Sequence, residues 1–173
     1  MADAPGPNVP FPPMEAELVS ELPEQGGWRY EPKWDGFRGV LENDNGELAL
    51  WSRNGRPLLR YFPELRPLGE LMPKHSALDG EIVIARDGKL DFDAMQMRLH
   101  PAESRVRKLS AEIPATFVAF DLLLWSKKKV HAKPIEERRA DLEKVAQGFS
   151  LSPVSDAVAQ GRDWLDDLQA AGF

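Results

Sequence analysis

The feature that most constrains the fold is a tight turn between two apolar strands. Asn45-Gly46 separates the segments FRGVLEN and ELALWSR, which occupy residues 37–43 and 47–53. Asn-Gly is the typical pair of a two-residue β-hairpin, because both residues tolerate the positive φ angles that such a turn needs. The sequence therefore predicts an antiparallel pair of strands here.

Strands and helices alternate along the rest of the chain. ATFVAFDLLLW (115–125) is the most apolar stretch and predicts a buried central strand, while SALDGEIVIARDGKLDF (76–92) predicts a strand, a turn at Asp87-Gly88 and a short return. Helices are predicted over residues 14–22, 62–72, 134–146 and 161–173 and from Asp91 onward, with a further strand over 28–33. This mixture indicates an α+β fold, with antiparallel sheets flanked by helices.

Length and composition restrict the class of protein. With 173 residues the chain is expected to form one domain over residues 14–173, preceded by a proline-rich, extended N-terminal arm over residues 1–13. There is no cysteine for a disulfide or a thiolate metal site, and no apolar run of membrane-spanning length. A cytoplasmic protein without a membrane partner is expected.

The charge pattern argues against a dedicated nucleic-acid-binding domain. The formal net charge is −6, whereas binding to phosphates needs clustered lysine and arginine. Two local segments are nevertheless basic, MRLHPAESRVRKL (97–109) and WSKKKVHAK (125–133). Taken alone, each is most simply a solvated surface segment.

Charged or aromatic residues recur where apolar strands begin or end. They are Lys33 with Asp35 and Arg38, then Arg53, Glu81, and Phe120 with Asp121. Strand ends that open onto a shared cleft commonly form a small-molecule site. Arginine and lysine among carboxylates suit a polyphosphate with a divalent metal, and an aromatic ring suits a stacked base. No Walker-type phosphate loop is present.

Four segments in order resemble one enzyme superfamily. KWDGFR (33–38) is similar to the K-x-D-G-x-R signature of the covalent nucleotidyltransferases, which include ATP-dependent DNA ligases, RNA ligases and mRNA capping enzymes. WSRNGRPLLRYFPEL (51–65), LDGEIVIARDGKLDFDAMQMR (78–98) and FVAFDLLLWSKKKVHAKPIEERRADLE (117–143) resemble further segments of the DNA ligase branch. The combination, over residues 10–173, most resembles the bacterial ATP-dependent DNA ligases associated with repair and end joining.

The resemblance implies a role for each matching residue. Lys33 would attack the α-phosphate of ATP and hold AMP as a lysyl phosphoramidate used to seal DNA nicks. Nucleotide contacts are implied for Glu31, Asp35, Arg38, Arg53, Glu81 and Phe120, with Phe120 stacking on the adenine and Glu81 also serving Mg²⁺ or Mn²⁺. A free lysine amine is only about 0.1% neutral at pH 7.4, so such a site must favour the neutral nucleophile through desolvation or nearby cations.

The ligase strands E-G-x-V-x-K and K-x-K, and the OB-fold domain, have no counterpart in the chain. The resemblance therefore implies a partial nucleotidyltransferase adenylation domain with an ATP-grasp-like fold, weak binding of nicked duplex DNA, and no nick sealing by this chain alone. An open sheet edge is expected to allow self-association. The alternatives are an RNA ligase or capping nucleotidyltransferase, and a non-catalytic nucleotide-binding fragment.

Overall fold

The computed structural model describes residues 14–15 and 17–170, so the arm predicted for residues 1–13 lies outside the described residues. The described chain divides into two compact units. We call residues 35–151 the sheet unit, and residues 14–34 with 152–170 the terminal unit. In the part of the chain that is described, no helix has the length and apolarity to cross a bilayer.

The sheet unit contains eight strands, three α-helices and two 3-10 helices. The strands are β1 (Phe37–Asp44), β2 (Glu47–Ser52), β3 (Ser76–Val83), β4 (Ala85–Arg86), β5 (Lys89–Leu90), β6 (Thr116–Trp125), β7 (Lys128–Lys129) and β8 (Ser150–Leu151). The helices are α1 (Phe92–Met97), α2 (Glu103–Glu112) and α3 (Ile135–Val145), with 3-10 helices at Leu59–Tyr61 and Pro63–Leu71. The terminal unit contributes α4 (Val158–Ala170).

The main sheet is antiparallel except at one edge. Its strand order is β2-β1-β3-β6-β7, and β8 pairs with β6 in parallel. Asn45 and Gly46 have φ angles of 52° and 103°, so the predicted hairpin between β1 and β2 is confirmed. The α+β class with antiparallel sheets and flanking helices is confirmed as well.

The core lies on one face of this sheet. Leu41 of β1, Leu50 of β2, Leu78 of β3 and Leu122 of β6 are buried there with side chains from the 3-10 helices, α1 and α3. A smaller cluster on β1, β3 and β6 is buried as well, consisting of Val40, Ala77 and Leu123. The first face is therefore the packing face, and the charged residues Arg38 and Glu42 of β1 and Asp79 and Glu81 of β3 belong to the opposite face.

Three predicted elements are wrong in type. The described part of residues 14–22 is not helical, because a segment this short needs a buried face, and Leu18 and Val19 are exposed. Residues 28–33 form only one bridge, from Tyr30 to Ser155, because Pro32 has no amide hydrogen to continue a ladder. The helix over 62–72 is a 3-10 helix, since prolines such as Pro67 remove donors that an α-helix requires.

Candidate functional site

Three charged side chains lie on one face of the central strands. Arg38 of β1 stands directly opposite Glu81 of β3, and Asp79 lies two residues from Glu81 on the same strand. Because cross-strand partners project to the same face and side chains alternate along a strand, these three share the face opposite Leu41 and Leu78. We call this the site face.

An ion pair with the buried Asp79 fixes the guanidinium of Arg38, which is itself half-buried. Its Nε donates a hydrogen bond to Oδ1 of Asp79 at 3.1 Å, and its Nη2 donates to Oδ2 at 2.6 Å. Burial raises the pKa of Asp79, and the bonds from Arg38 oppose that rise. Burial would lower the pKa of Arg38, but its hydrogen bond to Asp79 and the nearby carboxylates raise it. Arg38 is therefore a fixed cation on the site face.

Phe120 occupies an irregular position in β6. Asp79 pairs with Asp121 and the next residue, Gly80, pairs with Ala119, so Phe120 is the extra residue of a β-bulge. Bulges change the direction of a side chain and are frequent next to active sites. The guanidinium carbon of Arg38 lies 5.5 Å from the centre of the Phe120 ring. The bulge thus brings the predicted aromatic residue and the predicted arginine together.

The predicted Arg53 lies in a tight turn after β2. The amide of Gly55 donates to the carbonyl of Ser52 at 2.9 Å, and the Ser52 hydroxyl accepts from the amide of Arg56 at 3.0 Å. Gly55 has a φ of 74°, which favours glycine over other residues. The S-R-N-G sequence therefore encodes a rigid loop that carries Arg53 at its tip.

This turn forms one side of a pocket of about 470 Å³ within the sheet unit. The pocket is lined by Gly36, Phe37, Arg38, Ser52, Arg53, Asn54, Arg56, Leu58 and Leu99. Three arginines around one cavity favour an anionic ligand such as a phosphate group. Arg56 was not predicted, and its only sequence signal is its position three residues after Arg53 across a glycine turn.

The glycine of the K-x-D-G segment has a steric role. A Cβ atom at residue 36 would overlap the backbone carbonyl of Ile82 and approach Cγ1 of Val83 at 3.1 Å. Only glycine lets the chain pass this close to β3 before entering β1. Asp35, which precedes it, is half-buried at the start of the sheet unit.

Lys33 and Glu31 belong to the terminal unit, where two contacts hold their segment. The amide of Tyr30 donates to the carbonyl of Ser155 at 2.7 Å, and the reverse bond is 2.9 Å. Nε1 of Trp34 donates to the Ser152 hydroxyl at 2.9 Å. Glu31 and Lys33 lie between these two anchors and are exposed. The lysine is therefore carried by a segment that is fixed at both ends.

The described residues do not form a complete metal site. Among them, no three histidine, cysteine, aspartate or glutamate side chains come together in a way that could hold an ion. Mg²⁺ commonly binds through one or two carboxylates together with water and substrate phosphates. Glu81, half-buried on the site face, fits such a shared site only as one ligand among several.

Comparison with known proteins places this geometry in context. Residues 13–161 match the family model described as the ATP dependent DNA ligase domain. The chain is 44% identical to DNA ligase C2 of Mycolicibacterium smegmatis over 170 residues, which cover 95% of this chain and 47% of that protein. It is 41% identical to DNA ligase C of Mycobacterium tuberculosis over 173 residues, covering 95% and 48%.

A solved structure is similar as well. The structure titled mycobacterial DNA ligase D complexed with ATP and MES matches with a TM-score of 0.63 and 30% identity, over 79% of this chain and 45% of that chain. The chain thus spans about half the length of the relatives and the structure to which it is similar.

Proposed function

The chain belongs to the family of ATP-dependent DNA ligases, and from this premise we propose that it is the adenylation module of such a ligase, acting in DNA repair and end joining. The arrangement of Arg38, Glu81 and Phe120 on one face of the sheet carries this proposal. It offers an aromatic surface for a base beside a fixed cation and a carboxylate. Such a combination suits a nucleotide better than an uncharged ligand.

In the proposed reaction, Nζ of Lys33 attacks the α-phosphorus of ATP as the neutral amine. A nitrogen–phosphorus bond forms, the bond from the α-phosphorus to the bridging oxygen breaks, pyrophosphate leaves, and the amine loses a proton. Only Trp34 separates Lys33 from Asp35 in the chain, and Asp35 is the proposed ribose contact. Glu31, on the other side of Lys33, is the proposed neighbour of the adenine.

The residues of the sheet unit have distinct proposed tasks. Phe120 stacks on the adenine, Glu81 contacts the ribose or a metal ion, and Arg38 contacts the ribose or phosphate side. Arg53 binds the nucleotide phosphates or the 5′-phosphate of a nick. Arg53 lines the same pocket as Arg38, which supports a phosphate role for it. A divalent ion, Mg²⁺ or Mn²⁺, would neutralise phosphate charge and align the leaving group, with Glu81 as one protein ligand.

Nicked duplex DNA is the proposed polymeric partner, and weak binding to it is proposed for this chain. The formal charge of −6 supports weak binding, since few phosphates can be neutralised. With four fewer phosphate contacts, the slope of log affinity against log salt concentration would be shallower by about four. We therefore expect no sealing of nicks by this chain alone, and sealing of a nicked duplex by it at low salt would contradict this proposal.

Self-association through a sheet edge is also proposed. β2 is an outer strand whose outer edge is bonded at Leu50 and Ser52 by the backbone of Leu58 and Arg56. Within the described sheet, no strand pairs with the remaining part of that edge, so a second copy of the chain could extend it.

The decisive experiment is the intact mass of the protein after incubation with ATP and Mg²⁺. We expect a covalent AMP adduct on the wild type and on Lys89→Ala, a matched control at an exposed lysine of β5, but not on Lys33→Ala. An adduct on Lys33→Ala would show that Lys33 is not the nucleophile. Measurable ATP binding without any adduct would instead support a non-catalytic nucleotide-binding module.

A further inference from the structure

Arg138 of α3 is a buried arginine with every donor nitrogen engaged. Its side chain is 9% exposed. Nε and Nη2 donate to the two carboxylate oxygens of Asp121 at 2.8 and 3.2 Å. Nη1 donates to the carbonyl of Lys133 at 2.6 Å and to that of His131 at 3.4 Å. The guanidinium thus ties the start of α3 and the loop before it to one residue of β6.

The residue that Arg138 holds sits directly beside the bulge. Asp121 follows Phe120, and its Oδ1 also accepts a hydrogen bond from the amide of Leu122 at 2.9 Å. The extra residue of a bulge has no partner in the ladder, so the ladder with β3 does not by itself fix Phe120. The side chain of Asp121, clamped by Arg138, restrains the backbone on one side of Phe120.

A second ion pair reaches the same aromatic ring from the other strand. Asp79, the cross-strand partner of Asp121, holds Arg38, and Arg38 lies over the ring of Phe120. The pairs Arg38–Asp79 and Arg138–Asp121 therefore meet at the bulge.

We propose that Arg138 is a positioning residue for the ring of Phe120, acting through Asp121 and the bulge. Its consequence for nucleotide binding rests on the proposed function, in which Phe120 stacks on adenine. The hydrogen bonds of Arg138 go to Asp121, Lys133 and His131, so Arg138 would act on the ring through Asp121. Its effect should therefore appear in the recognition of the base, and recognition of the phosphates at Arg53 should not change.

The test compares Arg138→Met with Arg139→Met, a matched control on the same helix whose partner is the exposed Glu143. The first measurement is the NMR spectrum of the ligand-free protein with ¹³C-labelled phenylalanine rings. The second is the Kd for ATP and for inorganic tripolyphosphate, which has no base. Arg138→Lys keeps the charge but loses the planar guanidinium that binds both carboxylate oxygens of Asp121. Its ring signals and its Kd for ATP should therefore lie between those of the wild type and Arg138→Met.

We expect the Phe120 ring signals to shift in Arg138→Met but not in Arg139→Met. In Arg138→Met the Kd for ATP should rise about tenfold, because part of the free energy of stacking one base on Phe120 is lost. The Kd for tripolyphosphate should stay within about twofold of the wild-type value. On a Phe120→Ala background, Arg138→Met should have no further effect on ATP binding. If Arg138→Met does not fold, Arg138→Met with Asp121→Asn removes both charges and keeps the acceptor for Leu122.

The outcomes separate this proposal from the proposed function. If Arg138→Met has the same Phe120 ring signals and the same Kd for ATP as Arg139→Met, the proposed role of Arg138 is overturned. Equal weakening of ATP and tripolyphosphate with unmoved ring signals would also overturn it, because Arg138 would then act on stability alone. In a third outcome, the Phe120 ring signals shift in Arg138→Met but Phe120→Ala itself leaves the Kd for ATP unchanged. This outcome would support the positioning role of Arg138 and refute the adenine role of Phe120.

Discussion

Replacing Arg98 by methionine should cause a large loss of stability. Arg98 follows α1 and is 0% exposed. Nη1 and Nη2 donate to the carboxylate of Glu64 at 2.5 and 2.9 Å, and also to the carbonyls of Ile113 at 3.0 Å and Tyr61 at 2.7 Å. Its guanidinium lies 5.0 Å from the centre of the Phe62 ring. Methionine keeps much of the volume and removes every donor.

The expected cost follows from the groups left behind. Removing one partner of a buried ion pair costs about 3–5 kcal/mol, because the other charge stays without compensation. The cost is lowered because Glu64 is 17% exposed and still accepts a hydrogen bond from the amide of Ala115 at 2.9 Å. The cost is raised because the carbonyls of Tyr61 and Ile113 each lose a donor. We expect Arg98→Met to reduce the free energy of unfolding by about 4 kcal/mol, or about 10 °C in Tm.

Urea unfolding at pH 7, followed by far-ultraviolet circular dichroism, measures this loss. Arg107→Met on α2 is the matched control, since its pair with Glu103 is exposed on both sides and should change stability by less than about 0.5 kcal/mol. Arg98→Met with Glu64→Leu should recover part of the loss, because no charge then remains buried. A loss below about 1 kcal/mol in Arg98→Met would refute the reasoning.

Three further results are expected. Gly36→Ala should destabilise the protein by more than about 2 kcal/mol, since its Cβ would overlap the carbonyl of Ile82; an unchanged urea midpoint would contradict this. Arg53→Ala should weaken tripolyphosphate binding about tenfold by calorimetry, and equal affinity would remove Arg53 from the phosphate site. Light scattering should detect dimers at high concentration that Leu48→Pro in β2 abolishes, because the amide of Leu48, like that of Ser52, faces away from β1; a monomer at every concentration would exclude self-association.

Elements with a strong local signal were predicted correctly from the sequence. The hairpin between β1 and β2 depends on Asn45-Gly46, two adjacent residues whose backbone preferences suffice to specify the turn. Asp91 begins α1 in the same local way, because its side chain accepts a hydrogen bond from the amide of Ala94 at 2.9 Å. Elements whose cause lies within a few residues can be recognised without knowledge of the fold.

Partners distant in the chain were not predictable in this way. The basic segment 97–109 was predicted to be a solvated surface, yet Arg98 is fully buried and α2 occupies residues 103–112. The burial of Arg98 depends on Glu64, which is 34 residues earlier in the chain. A pattern of charges cannot reveal such a pair, because local composition carries no information about which carboxylate will face the arginine.

In the candidate site, too, single residues were identifiable from local sequence, but their arrangement across strands was not. Arg38, Glu81 and Phe120 were identified from their segments, and the structure brings them together on one face, but their roles toward a nucleotide stay predictions. The bulge at Phe120 was not predictable, because a register shift exists only between two paired strands and leaves no mark on either one.

Two aspartates connect these observations. Asp79 and Asp121 are cross-strand partners, so two carboxylates would repel each other in the interior of the sheet. Each is held by its own arginine, Arg38 from β1 or Arg138 from α3, and the extra residue Phe120 lies next to both pairs. A buried ion pair adds little net stability compared with an apolar pair, but its geometry is specific. Three of these four charged groups are buried and Arg38 is half-buried, and the specific geometry of the two pairs fits the proposal that they hold one aromatic ring in place on the site face.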